Sequence, residues 1–294
     1  MKRMIAILLL LGFCLAVCPA LAEAEWTFEV PLSLVTGEYA TLVNRDHLLD
    51  SNFVPGNLVR LNLRKHTSSV VEMDATAADA LTSMFEAASK VTEYTYKIEG
   101  SGGEWVPAEF SGSDGLKLML DNGYRTYNSQ RSSYYNRLDR LGYDDGYVAP
   151  PGASEHQSGL ACDVVSATYY NTQSKLNASF YQTPEAQWME ENASSFGFII
   201  RYPQDKEEIT QVPYEPWHLR YVGREIAGYI KSRNLTLEEF TDEWQAALEA
   251  FESEGGDIQA QLLLESTIVP TAVTTTIMDE YGEDGDPEVS LSMW

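Results

Sequence analysis

Two runs hold the residues best equipped for chemistry: Ser154-Glu155-His156-Gln157-Ser158-Gly159-Leu160-Ala161-Cys162-Asp163 and, well down the chain, Glu215-Pro216-Trp217-His218-Leu219-Arg220-Tyr221. Together they offer His156, Asp163 and His218 as metal ligands, with the Glu215 carboxylate beside the last imidazole. A hydrolytic zinc site commonly uses three protein ligands, an open position for water and a nearby general base. The chain has only four histidines, and two of them fall in these runs. The pattern points to metal-assisted peptide hydrolysis, although two imidazoles and a carboxylate would also accept divalent ions other than zinc.

His156 and Asp163 are seven residues apart, a spacing that points side chains to opposite faces of a straight strand. Gly159 permits a turn between them, after which Ala161 to Val165 can run as a buried strand with Asp163 inward. Taken alone, a capped loop with both side chains hydrogen-bonded to backbone accounts for the spacing equally well. Pro216 fixes its own φ and presses Glu215 toward an extended conformation, holding that carboxylate at a defined angle before His218. An isolated Glu or His here reads as a salt bridge or core hydrogen bond; two clusters with complementary roles favour one shared site.

The elements that must position these residues are partly legible. Leu58 to Leu63 is β-compatible after a Pro55-Gly56 turn. Leu81, Met84, Phe85, Ala88 and Val91 share one face of a helix starting at Asp74 or Thr76. The stretch 94–120, with two Gly/Ser clusters, reads as a hairpin or surface excursion. A helix is expected from Asn128 or Ser129 to Gly142, another from Thr183 (N-cap) and Pro184 to Gly197, then a strand over Phe198 to Tyr202. Arg224 to Arg233 fits a helix, and Thr236-Leu237-Glu238-Glu239 is a capping box opening another. Mixed strands and helices without a regular βαβ rhythm argue an α+β fold.

The chain is strongly acidic, with a formal net charge of −24. Such a surface repels phosphates and anionic headgroups, so neither nucleic acid nor membrane is an expected partner. Lys2 and Arg3 precede an apolar run to about Val17, and Ala20-Leu21-Ala22 offers a cleavage site: residues 1–22 read as a secretion signal. Cys18 is a loose match to a lipid-attachment signal, with Val17 against it. After cleavage Cys162 is the only cysteine left, so no intrachain disulfide is possible and a real core is required. We divide the remainder into a domain over 23–252 and an acidic C-terminal extension over 253–294, with a strand or two expected in Val269 to Met278.

Ser154-x-His156-x-x-Gly159-x-Ala161-x-Asp163 followed by Glu215-Pro216-Trp217-His218-x-Arg220-Tyr221-Val222-Gly223 resembles the VanY-type D-alanyl-D-alanine carboxypeptidases, zinc peptidases of the cell wall with a fold related to the hedgehog signalling domain. The likeness extends to Gly123-Tyr124-Arg125-Thr126-x-x-x-Gln130, to Tyr202-Pro203 and loosely to Leu42-Val43-Asn44-Arg45, covering roughly 38–240. The resemblance implies a mostly antiparallel sheet with flanking helices. It implies Zn2+ held by His156, Asp163 and His218, Glu215 as catalytic base, and Arg125 as a substrate or oxyanion arginine, with Gln130 and Ser154 lining the pocket. An arginine suits a carboxypeptidase on physical grounds, because guanidinium grips a free carboxylate through two parallel hydrogen bonds. Arg201 and Arg220 are rivals, with structural ion pairing the expected role of each.

Three departures stand out: Asn122 where serine often precedes Gly-Tyr-Arg, Cys162 in place of an aliphatic residue, and longer 94–120 and C-terminal stretches. Strand alternation aims the Cys162 sulfur away from the metal, as a small buried apolar group. Trp217, Tyr214 and Tyr221 are expected in the core before any stacking role. The implied function is removal of a C-terminal D-alanine from peptidoglycan stem peptides by an exported, monomeric, wall-associated enzyme. The alternatives are an L,D-carboxypeptidase, an endopeptidase at the same site, or a non-catalytic wall-binding module.

Overall fold

In the computed structural model, residues 24–65, 70–173 and 176–267 are described; the secretion signal expected over 1–22 and the strands expected in 269–278 lie outside them. Eight short strands form three antiparallel sheets among these residues. β1 (Leu58–Arg60) pairs with β2 (Glu72–Asp74), and β3 (Glu93–Glu99) with β4 (Trp105–Ser111). The site-bearing sheet contains β5 (Leu118–Asn122), β6 (Ala161–Ser166), β7 (Phe198–Ile200) and β8 (His218–Tyr221) in the order β5-β6-β8-β7. Each of its pairs is antiparallel, as expected of this α+β, DD-peptidase-like fold.

The helices are α1 (Leu32–Val35), α2 (Ala75–Ala88), α3 (Tyr127–Leu141), α4 (Ala167–Gln173), α5 (Pro184–Asn192), α6 (Glu207–Thr210), α7 (Arg224–Arg233), α8 (Leu237–Ser253) and α9 (Ile258–Thr267). Their starts follow local chemistry. Asp74 accepts from the backbone N–H groups of Thr76 and Ala77, Thr183 caps α5 ahead of Pro184, and Thr236 and Glu239 complete the capping box of α8. Helix α3 begins a residue or two earlier than expected, because Thr126 takes the cap through the Ser129 N–H. The 94–120 stretch is a hairpin only as far as Ser111; its end, from Leu118, is the edge strand of the main sheet.

One apolar cluster fills the space beneath that sheet, joining Leu81 and Met84 of α2 and Met189 of α5 to Leu120, Val164, Phe198 and Leu219. A second joins Val30, Leu32 and Val35 to Ile199, to Ile226 and Ile230 of α7, and to Leu237 and Phe240 of α8. Helix α9 docks on this side, the Glu265 carboxylate accepting the Leu32 and Ser33 backbone N–H groups at 2.9 and 2.8 Å. No helix among the described residues is long and apolar enough to cross a membrane.

Candidate metal centre

Strand register brings the two sequence runs together. Asp163 lies opposite His218, and Cys162 opposite Leu219, on adjacent antiparallel strands β6 and β8. Alternation then sends Asp163 and His218 to one face, while Cys162 and Leu219 enter the apolar core on the other. The Cys162 sulfur thus faces away from the site, as alternation predicts. His156 precedes β6 on a 3₁₀ turn, Glu155–Ser158, which ends at Gly159 with φ +74°. A side chain at Gly159 would meet Leu58 and Pro55 at 3.0 and 3.1 Å, so the turn that swings His156 beside Asp163 requires glycine.

Candidate donor atoms of His156, Asp163 and His218 all lie within 4.8 Å of one another, and all three residues are buried. The His156 Nε2–Asp163 Oδ2 distance is 3.4 Å and the His218 Nδ1–Asp163 Oδ1 distance 3.1 Å. Two ligands bound tetrahedrally to zinc at about 2.0–2.1 Å sit roughly 3.3 Å apart, close to the separation of each imidazole nitrogen from an Asp163 oxygen. The imidazole centroids are 4.9 Å apart with planes at 85°. His156 Nδ1 donates to the Gly123 carbonyl at 2.8 Å, leaving Nε2 with its lone pair toward Asp163. Gly123 is itself forced: a Cβ there would lie 2.5 Å from the Glu72 carbonyl oxygen.

Charge around the cluster calls for a cation. Burial lowers the pKa of His156, with Arg125 and His218 adding to the effect and Asp163 opposing it, which favours the neutral ligand form. Burial also disfavours charge on His218, but the hydrogen bond to Asp163 and the nearby carboxylates of Glu155 and Glu215 outweigh it, and its pKa is pushed up to about 9. Burial would raise the Asp163 carboxyl; the two histidines hold it well below the usual range. Two imidazoles and one carboxylate fit a divalent ion such as zinc.

Glu215 sits at the start of a tight turn closed by His218 N–H donating to the Glu215 carbonyl at 3.1 Å, with Pro216 at the second position. Its carboxylate is 3.7 Å from His218 Nδ1. Burial raises its pKa to about 7, with Asp163 adding to the rise and His218 and Arg125 opposing it. A carboxylate with a pKa near neutrality is suited to take and return a proton.

These groups line a cleft of about 230 Å³ that also contains Arg125, Gln130, Ser154, Tyr147 and Trp217. Every site residue expected from the sequence therefore reaches one cavity. Gln130 is nevertheless engaged at both ends of its amide, accepting from Arg125 at 2.8 Å and donating to the Ala149 carbonyl at 2.6 Å. It holds the guanidinium in place. Trp217 and Tyr221 both belong to the core as expected, Trp217 also forming part of the cleft wall, whereas Tyr214 is half-buried and outside that core.

Sequence reasoning missed two residues. Asn122, noted from the sequence only as a departure from serine, ends β5 and donates to Asp163 Oδ2 at 2.9 Å. Glu155 is fully buried and accepts from both Arg201 and Arg220 at 2.7 Å. The ion-pairing roles expected of the two arginines are thus found, but on an unforeseen carboxylate. The available signal was their placement in or directly after apolar strands, where a buried guanidinium demands a counter-charge.

Comparison with known proteins follows the same motifs. A profile of the VanY family, described as D-alanyl-D-alanine carboxypeptidase, matches residues 109–224. The solved LdcB LD-carboxypeptidase is 37% identical, with a TM-score of 0.57 over 68% of this chain and 84% of that one. VanYB in complex with D-alanine-D-alanine is 30% identical, with a TM-score of 0.51 over 70% of this chain and 98% of that one. The chain belongs to the VanY-type carboxypeptidase family. Among curated proteins, YodJ of Bacillus subtilis (strain 168), provisionally named a carboxypeptidase, is 37% identical over 204 residues, covering 68% of this chain and 65% of YodJ. Across the curated relatives the matched share of each protein's own length runs from 36% to 66%. The matched residues 109–224 contain both runs that converge on the cluster.

Proposed function

We propose that this protein is an exported zinc carboxypeptidase that removes the C-terminal D-alanine from peptidoglycan stem peptides. The observation that carries the reading is the convergence of His156, Asp163 and His218 beside the Glu215 carboxylate, in a cleft that also holds Arg125. His156 Nε2, His218 Nδ1 and the Asp163 carboxylate would hold the ion. Zinc supplies Lewis acidity and an acidified water when bound. Glu215 accepts the proton of the attacking water and later delivers it to the departing amine. Arg125, anchored by Gln130, grips the substrate's terminal carboxylate or the oxyanion; a bidentate guanidinium fits either. Ser154, buried at the cleft wall, offers a hydroxyl to the peptide.

We assign residues 1–22 to an export signal, 23–252 to the catalytic domain and 253–294 to an extension, and take the mature form to act as a monomer at the cell wall. The likeness to LdcB, an LD-carboxypeptidase, favours one second reading: the same site cutting an L,D bond in a tetrapeptide. Purified mature protein incubated with defined pentapeptide and tetrapeptide, with and without chelator, decides by mass spectrometry. Loss of one D-alanine from pentapeptide alone supports the D,D reading, and loss from tetrapeptide alone supports the L,D reading. Chelator-insensitive cleavage removes the zinc assignment, and no cleavage of either peptide overturns the carboxypeptidase reading.

A further inference from the structure

His156 has its ring orientation set from outside the cluster by the Gly123 carbonyl, and the equivalent place behind His218 is occupied by Glu155. Its Oε1 accepts from Arg201 Nε and Arg220 Nη1, each at 2.7 Å. Arg201 continues to Glu238 in the first turn of α8, its two Nη groups donating at 2.8 and 2.6 Å. Arg220 reaches the carbonyls of Tyr39 and Thr41 through Nη2 and that of Tyr221 through Nε. Both arginines are completely buried, and the array of two cations and two anions is formally neutral.

The arrangement is lopsided in an informative way. A carboxylate serving only as a counter-ion would take one guanidinium on each oxygen. Here both converge on Oε1, while Oε2 is buried with no hydrogen-bond partner. The Nε2 atom of His218 is likewise buried and unpartnered, and the two face each other at 3.7 Å. An approach of less than about 1 Å makes an ordinary N–H···O bond. A buried polar atom left unsatisfied loses its hydration with nothing gained in return. Ligation of an ion through His218 Nδ1 requires the ring proton on Nε2, where Oε2 is the acceptor in reach.

We propose that Glu155 is a positioning residue of the metal centre: its second carboxylate oxygen takes the Nε2 proton of His218, locking the ring with Nδ1 toward the ion. The inference rests on the metal-site reading above. Carboxylates that hold a ligating histidine in this way typically change metal affinity by about 10–100-fold when removed. In Glu155→Gln the amide can accept from the arginines only by presenting its NH2 to His218. That donor favours the opposite tautomer, with a proton on the ligating nitrogen.

The test is zinc affinity by competition with a chromophoric chelator, for wild type, Glu155→Gln and Glu238→Gln, together with 15N-detected imidazole spectra of zinc-loaded wild type. Wild type should bind one zinc and show a hydrogen-bonded Nε2 proton on His218. Glu155→Gln should bind at least tenfold more weakly. Glu238→Gln disrupts the same buried array one step further out, so it should lose thermal stability yet stay within about threefold of wild-type affinity. Equal losses in the two variants would make Glu155 merely structural, and unchanged affinity in Glu155→Gln would overturn the proposal outright. Should Glu155→Gln not fold, the wild-type spectrum decides, because zinc-loaded protein without the Nε2–H signal of His218 also overturns it. Failure of wild type to bind zinc sinks the metal-site reading instead, so the two failures are distinguishable.

Discussion

Replacing Glu215 by glutamine keeps the volume and removes the one group placed to accept a proton. The Glu215 side chain is only 11% exposed, so bulk water is poorly placed to substitute for it. Its oxygen lies 3.7 Å from His218 Nδ1, within reach of a water held at the three donors. General bases contribute about 10²–10⁴-fold, which corresponds to roughly 2.7–5.4 kcal/mol of barrier at 1.36 kcal/mol per decade. The carboxylate is the active form, so the rate rises with pH through its pKa. Burial places that pKa at about 7, and a bound cation would lower it as His218 and Arg125 already do. The wild-type acid limb should therefore have a midpoint no higher than about 7, and the variant should lack that limb. The assay is D-alanine release from a defined pentapeptide across pH 5–9 at saturating zinc, with bound metal counted in the same samples. A Glu215→Gln enzyme within fivefold of wild-type kcat, or one that retains the same acid limb, refutes the assignment.

Arg125→Gln should reduce kcat/KM about 10–100-fold, the worth of a charged hydrogen bond of roughly 1.5–3 kcal/mol. A loss in KM alone assigns Arg125 to the substrate carboxylate, and a loss in kcat alone assigns it to the oxyanion. Dialysis against chelator should abolish turnover and lower Tm by several degrees, because zinc at 100-fold its Kd adds about 2.7 kcal/mol to stability; zinc titration followed by calorimetry checks both. Acid titration followed by circular dichroism reports on the buried array. Burial would raise the Glu155 carboxyl, but Arg201, Arg220 and His218 hold it far below the usual glutamate value of 4.5. Its stabilising contribution is thus complete above about 4.5 and is lost as pH falls below it, an effect that Glu155→Gln should remove. Glu265→Ala, which strips two backbone N–H groups of α1 of their acceptor, should cost about 1 kcal/mol in urea melts with kcat unchanged.

Much of the site was readable because its chemistry is concentrated in two short runs and its geometry follows from alternation. Gly159 had to turn the chain, and the register Asp163↔His218 then placed both side chains on one face. Helices with strong punctuation, such as those opened by Thr183-Pro184 and by Thr236, lie where caps predict them. The end of the 94–120 stretch was misread because Leu118-Met119-Leu120 is a short apolar run whose pairing partner, Val164 to Ser166, lies far along the chain. Glu155 was invisible for the same kind of reason. Nothing local separates a buried glutamate from an exposed one, and its partners, 46 and 65 residues onward, are joined to it only by the sheet.

The bidentate clasp between Arg201 and Glu238 also bears on when the cavity becomes usable. A polypeptide emerging from its N-terminus delivers both histidines and Asp163 before it delivers the opening turn of α8. Until residue 238 arrives, Arg201 lacks its second counter-ion, and the strands flanking it have reason to stay solvated. In the proposed exported zinc enzyme, folding of the domain is therefore completed only after α8 has emerged to fill its core with Leu237 and Phe240, so metal selection falls to the compartment in which the chain finishes folding.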